Sequence, residues 1–508
     1  MRIDGDASMR QGMRGTMLGG RFFGGSAPVA GVADFLAETS AATLLRQWFG
    51  DAALLAMLTG PDALEVLQEA IDRDIVAIDA LLSRQLDAVL HNEKLRRLEG
   101  SWRGLFWLVD GFVQDKLVKV RLLNARWVEI SRDFQRASEF DQSALFRIIH
   151  EQEFGMPGGE PYGMLVADYE VRPSPSASQP VDDVPVLERL AEVGAASFCP
   201  VVLPVSPEFF GLDSYHEARP ATAFSALFRG PEKQRWARLA QREETRFLGL
   251  VLPRTLGRRR WAADGTRADR FRYSEDAGRP DQRVWTAAVY AFASVAARSF
   301  ARYHWPADVR GAEPGWDATG GVVETLPHER FRADPPGPPP RPPLELSLTD
   351  EQEREAADAG LIALCGLEGL PEASFGAAPS IHRPPRMTSE VANANQRLSA
   401  QFNSMLCVSR FAHVVKLMGR DMVGSFLNPE DVETRLQAWL NSHVSGLAGG
   451  GDAASRYPLR DARVEVREQI GKPGIYGCTV ILQPHYQLDD VGASFRLLTE
   501  LTGPREAA

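Results

Sequence analysis

The sequence predicts a mixed α/β fold: a helical N-terminal region, a central α/β core, and long C-terminal helices followed by an antiparallel β-hairpin. Three observations predict it. Residues 64–90 carry leucine and isoleucine at helical spacing. Residues 164–367 alternate short apolar runs with helical stretches, the pattern of strands covered by helices. Residues 461–498 alternate apolar and polar side chains on both sides of Pro473-Gly474, a hairpin signal.

The 508 residues can bury a large core and suffice for two or three domains. We read them as an N-terminal arm (1–60), a helical region (61–112), an α/β core (113–385) and a C-terminal region (386–508). The composition, 44% apolar and 24% charged, is that of a globular protein. A net charge of −10 argues against non-specific binding to nucleic acid or to an anionic membrane. Cys199, Cys365, Cys407 and Cys478 are far apart in apolar surroundings, without a CxxC pair, so reduced core thiols and a cytoplasmic location are expected. No run approaches the ~18–20 apolar residues of a membrane span. Arg2, Arg10 and Arg14 are not followed by an apolar segment, so no secretory signal is expected.

In chain order, residues 1–30 are rich in Gly and Met and read as a flexible arm. Residues 32–48 read as a short amphipathic helix. Asp62 caps a helical region that runs with breaks to about residue 109. Within it, Gly100 and Gly104 lie four apart on one face and permit close approach of another backbone or ring, with Trp102 and Trp107 as packing anchors. Residues 117–123 and 127–130 then read as strand and turn, 133–152 as helix, and 155–161 (GMPGGEP) as a loop. Strands are expected at 164–171, 197–205, 246–252, 344–348 and 361–367. Helices are expected at 186–193, near 231–243, at 284–303 and at 350–359. Residues 334–343 (DPPGPPPRPP) read as a polyproline-like surface linker. A helix is capped by Ser389 and runs to about 422, and Asn428-Pro429 opens another. The hairpin follows, with a type II turn at Pro473-Gly474 and a third short run at 493–498. Two or three strands alone are marginal. These must pack on the rest of the chain or pair with another chain.

Chemistry is sparse. There is no GxxxxGK[ST], HExxH or EF-hand loop, and GMPGGEP lacks GxGxxG spacing and follows a helix. In GSWRG, residues 100–104, the serine is second and sits in a helical pattern, which does not fit a nucleophile elbow. His413 lies on an apolar helix face and reads as a satisfied core or interface residue, His91 and Glu93 read as structural, and His485 in the hairpin reads as helping to pair strands or as solvated. No catalytic residue, cofactor or metal site is assigned.

Six segments in order carry a resemblance. They are Leu90-His91-Asn92 with Leu98-Glu99-Gly100-Ser101-Trp102-Arg103-Gly104-Leu105; Gly158-Gly159-Glu160-Pro161-Tyr162-Gly163; Ser206-Pro207-Glu208-Phe209-Phe210-Gly211; Arg246-Phe247-Leu248-Gly249-Leu250; Arg410-Phe411-Ala412-His413; and Tyr457-Pro458-Leu459-Arg460-Asp461-Ala462 with Pro473-Gly474-Ile475-Tyr476 and Gln483-Pro484-His485. The chain thereby resembles the large subunits of the type VI secretion contractile sheath, the TssC/VipB family, which are similar to bacteriophage tail sheath proteins. The resemblance implies a structural protein, not an enzyme, that pairs with a small sheath subunit (TssB/VipA) and builds a helical tubule around an Hcp tube, contracting to propel it. It implies contact with neighbouring protomers and a membrane-anchored baseplate, without nucleic acid and without membrane insertion of the chain itself. It also implies inter-subunit strand pairing near the C-terminus, which places Val464, Val466, Tyr476, Val480 and Leu482 in that role. Family members recycled by a ClpV-type AAA+ unfoldase present an N-terminal helix to it, and residues 1–30 do not match that helix. The competing readings are an α/β enzyme with a site around residues 155–161 and an adaptor binding through residues 334–343.

Overall fold

The computed structural model of the protein describes residues 13–21, 23–24, 27–28, 31–177, 179–219, 222–224, 233–268, 271–311, 319–329, 342–385, 387–389, 393, 396, 399–422, 428–445, 455–468, 476–485 and 495–501. The polyproline-like linker, apart from Pro342 and Pro343, and the hairpin turn lie outside these residues. The chain falls into two compact units, Met1–Arg96 with Arg260–Arg283 and Arg97–Arg259 with Val284–Ala508. The mixed α/β class, helical at the N-terminus and ending in antiparallel strands, is the one observed.

The first unit holds α1 (Met13–Leu18), a two-stranded ribbon of β1 (Phe23–Gly24) and β2 (Ala27–Pro28), α2 (Val32–Ala37), α3 (Ala41–Phe49), α4 (Asp51–Met57) and α5 (Ala63–Leu90). Phe49, Leu54, Leu67 and Ala70 form its small core. The expected arm is folded over 13–21: Arg14 forks onto both carboxylate oxygens of Asp74 on α5 (2.6 and 2.9 Å), and Trp48 Nε1 donates to the same carboxylate (2.8 Å). Burial would raise the pKa of Asp74, but these donors hold it lowered. The single helix expected at 32–48 is two helices, because the Ser40 hydroxyl accepts from Thr43 N–H and starts α3 afresh. In the loop 260–283, Tyr273 donates to Asp87 (2.8 Å), and Glu275 accepts from Trp261 N–H (2.9 Å) and lies 3.5 Å from His91 Nε2.

Asn92 Oδ1 accepts from the backbone of Lys94 and Leu95 and opens α6 (Glu93–Asp110). The second unit continues with α7 (Trp127–Arg136), α8 (Ala144–Phe146) extended by a π-helix at Arg147–Phe154, β3 (Leu165–Val166), α9 (Asp183–Ser197), β4 (Val201–Pro204), α10 (Gln234–Leu239), β5 (Leu248–Leu252), β6 (Thr255–Leu256), β7 (Trp285–Thr286), α11 (Val289–Tyr303), β8 (Val322–Val323), α12 (Asp350–Asp358), β9 (Leu361–Gly366) and β10 (Ala373–Phe375). Several expectations fail here: residues 344–348 form only an isolated bridge at Leu344, and the helix expected at 133–152 is broken between α7 and α8. Trp127–Ile130 is helical, because Trp127, Ile130 and Phe134 share the helical period and turn inward together. Residues 117–123 form no strand and pair with none among the described residues.

The central sheet runs β3-β4-β5-β9-β10-β8, parallel from β3 to β9 and antiparallel beyond. Its parallel strands are apolar throughout because both faces are covered. Val201, Leu203, Leu248, Leu250, Leu252, Leu361 and Ala363 join the core shared with α9 and α12, while Val202, Val251, Ile362 and Leu364 join the core shared with α11. The C-terminal region adds α13 (Phe402–Met422), α14 (Pro429–Asn441) and a three-stranded antiparallel sheet, β11 (Leu459–Glu468), β12 (Tyr476–Pro484) and β13 (Phe495–Leu501).

His413, fully buried on α13, lies 3.0 Å from the Ser197 carbonyl oxygen through Nε2, so that nitrogen carries the proton. Burial first, and the nearby Arg410 and Lys416 cations second, push its pKa down to about 4. His150, stacked on Phe146, is also pushed down to about 4 by burial and by Lys416. Both imidazoles are neutral in the folded protein, whereas the unfolded chain takes up protons near the ordinary value of 6.5. Stability is therefore expected to be full above pH 6.5 and to fall as pH drops towards 4. The urea midpoint followed across that window should show the fall, and His413→Gln should reduce its slope.

Candidate assembly surfaces

β12 is the middle strand of the C-terminal sheet. On one side it pairs with β11 in the register Ala462↔Leu482, Val464↔Val480 and Val466↔Cys478. On the other it pairs with β13 through Val480↔Leu497. The period-2 alternation sends Ala462, Val464, Val466, Cys478, Val480 and Leu482 to one buried face, against Val432, Leu436 and Leu440 of α14 and Val408 and Phe411 of α13. The opposite face carries Arg463, Glu465 and Arg467, with both arginines on Glu465. These placements move one expectation. Tyr476, Val480 and Leu482 lie on a strand whose two edges are already paired within the chain, and Val464 and Val466 turn their side chains into the subunit's own core. A strand from another chain has only the outer edges of β11 and β13 to meet.

The second surface is α6. Its Gly100–Gly104 face lies against the segment 285–290. A Cβ on Gly100 would overlap the Trp285 carbonyl, and one on Gly104 would overlap the Thr286 hydroxyl and the Tyr290 ring. Tyr290 in turn donates to Asp168 (3.0 Å), and burial raises the pKa of that carboxyl despite the hydrogen bonds from Ser101 and Tyr290. Trp107 is partly buried, and its Nε1 donates to the Thr325 carbonyl (3.2 Å). Trp102 does not share that packing. Two residues from Gly100 and Gly104, it projects from the far side of the helix and is 58% exposed. Leu98 (55% exposed) and Phe106 (69%) stand four residues to either side of it, so an apolar stripe runs along the outside of α6. The sequence signal for that stripe is a helix apolar on more than one face.

Beyond α6, the unpaired segment 117–123 exposes Leu117, Val120, Leu122 and Leu123. Its alternate residues Lys119 and Arg121 reach the GMPGGEP loop. Lys119 pairs with Glu160, and Arg121 pairs with Glu153 and, at 3.2 Å, with Glu160. Gly159 packs on the Glu153 backbone. Glu160 of the loop and Glu153 of the preceding π-helix are thus both engaged in holding this segment.

One polar cluster resembles chemistry. At the C-terminal ends of β4 and β5, Ser214 Oγ lies 2.6 Å from His216 Nδ1 and donates to Glu345 Oε1 (2.7 Å). Glu345 also takes Arg254 (3.2 Å), which reaches Glu170 at 2.5 Å. Burial would lower the Arg254 pKa, but Glu170 and Glu345 raise it. In a nucleophile relay the acid orients the base from its far nitrogen. Here acid and imidazole meet on the same serine oxygen, and the acid is also paired with the half-buried Arg254, so the cluster works as a tie between these segments. Among the described residues no group of three or more His, Cys, Asp or Glu could hold a metal ion, and no helix is long and apolar enough to cross a membrane.

An outward apolar stripe, a segment that no strand pairs among the described residues and a C-terminal sheet ending in β13 suit a protein that assembles with other chains. The comparisons give that class a family. The EvpB/VC_A0108 tail sheath N-terminal domain matches residues 72–382, and the EvpB/VC_A0108 tail sheath gpW/gp25-like domain matches residues 391–501. The type VI secretion system sheath protein TssC1 of Pseudomonas aeruginosa is 33% identical over 445 residues, covering 86% of this chain and 87% of that protein. The chain belongs to the EvpB/VC_A0108 tail sheath family.

The close approach of α6 sets a test of its own. Alanine is favoured over glycine in a helix interior by about 1 kcal/mol. Overpacking costs about 1–3 kcal/mol, and the overlap at Gly100 is with backbone. Gly100→Ala is therefore expected to lower stability on balance, read as a lower denaturant midpoint at unchanged m-value.

Proposed function

We propose that the chain is a large subunit of a type VI secretion contractile sheath: it pairs with a small sheath subunit, stacks in a helical tubule around an Hcp tube, and contracts with the lattice to propel it. Membership of the tail sheath family supports this reading, as does the near full-length likeness to a type VI secretion sheath protein. The observation that carries it is the outer stripe of α6, because large side chains exposed in a row on one helix face are the mark of a protein interface. Residues 118–122, which no strand pairs among the described residues, offer backbone to a strand from another chain, the β-augmentation mode. The outer edge of β13, which no strand pairs among the described residues, offers the same. Contacts of this head-to-tail kind do not close on themselves and so build filaments. Recycling by a ClpV-type unfoldase and docking on a baseplate belong to the same reading and have no assigned residues in this chain.

Trp102→Asp with Phe106→Asp places two charges on the stripe without touching the Gly100–Gly104 face. The expected result is loss of co-purification with the co-expressed small sheath subunit and loss of tubules by negative-stain microscopy, with the subunit's melting temperature unchanged. Normal tubules from this variant would overturn the role given to α6.

A further inference from the structure

The outer edge of β11 is occupied by its own chain. In a strand the peptide groups of alternate residues face the same side, and at Ala462, Val464 and Val466 that side is away from β12. Gln437 of α14 accepts from Val464 N–H at Oε1 (2.9 Å) and donates from Nε2 to the Ala462 carbonyl (2.7 Å). Glu433, one turn earlier on the helix, accepts from Val466 N–H (2.9 Å). The remaining amide proton of Gln437 goes to Asn441 Oδ1 (2.8 Å). Two repeats match here. Four helical residues advance about 6 Å, and two strand residues advance about 6.6 Å, so one side chain per helical turn meets one outward peptide position on the antiparallel strand. The same helix buries Val432, Leu436 and Leu440 one residue away, so the polar row is held at the strand edge by the core beneath it.

We propose that Glu433 and Gln437 are an edge seal: they close the outer edge of β11 against strand addition, so that a strand of another sheath subunit joins this sheet on the β13 side. The direction rests on the strand-addition reading above; the seal itself does not. Unpaired strand edges template association with other chains, and proteins block them by covering or by charge. A side-chain amide that supplies both a donor and an acceptor does the same while leaving the edge fully hydrogen-bonded. Among the described residues no strand pairs with the other side of β13. Among the described residues the sheet is thus open to strand addition on the β13 side only.

The test uses the purified full-length subunit carrying Glu433→Ala and Gln437→Ala, before any sheath is assembled. Amide exchange by mass spectrometry over the peptide 459–468 is expected to quicken about tenfold at Val464 and Val466, the effect of losing one hydrogen bond each. Sedimentation velocity is expected to show concentration-dependent self-association that the parent chain lacks. Adding Val464→Pro should reverse the association, because that residue's N–H is not part of the β11–β12 ladder and proline blocks an exposed edge. Gln437→Met, of similar volume but without the amide, keeps the reading open if the double variant unfolds, and should show the faster exchange at Val464 alone. Unchanged exchange, or faster exchange with an unchanged sedimentation profile, overturns the seal. Failure of the strand-addition reading would appear only in assembled sheath and would leave both of these readouts as expected.

Discussion

The C-terminal region depends on a single apolar layer. Three strands with one apolar face are marginal on their own, and this sheet is held because Val464, Val466, Cys478, Val480 and Leu482 sink between α13 and α14. Each fully buried aliphatic side chain contributes about 1.5–3 kcal/mol, so the layer fixes the sheet to the subunit before any partner arrives. The same α13 also sends Phe402 and Leu406 into the core under the central sheet. The C-terminal core and the core shared with α11 are thus tied by one helix.

The face of the C-terminal sheet was legible in the sequence because period 2 is unambiguous over 462–466 and 478–482, and its burial follows directly. The neighbours of the sheet were not. Local alternation says which way side chains point, but it is silent on which strand lies in the middle, and here a third strand turns β12 from an edge into the centre. Gln437 and Glu433 left no signal either, since an exposed-looking Gln and Glu four apart on a helix normally face solvent. Their role comes only from the coincidence of the helical and strand repeats.

At α6 the sequence was half informative. Gly100 and Gly104 mark a close approach by their spacing, and they lie against the start of α11. Trp102 sits two residues from each of them, about half a turn round the helix, and its size alone suggested packing. The helix presents it outward with Leu98 and Phe106. Residues 117–123 mislead for a related reason: their composition suits a strand, but a strand needs a partner, and none comes from the described residues. Both departures are apolar groups that the subunit itself leaves uncovered. The failure at Trp127 is different in kind, because a four-residue window cannot separate a strand from the first turn of a helix.

The central claim, that other sheath chains add to this subunit by strand pairing on one side of the C-terminal sheet, is tested most directly by cryo-electron microscopy of tubules from the co-expressed sheath subunits. The account expects a sheet of four or more strands, with a neighbour's strand beside β13 and Gln437 still bonded to Ala462 and Val464. A C-terminal sheet that stays three-stranded in the tubule, or a neighbour's strand lying beside β11, would contradict it.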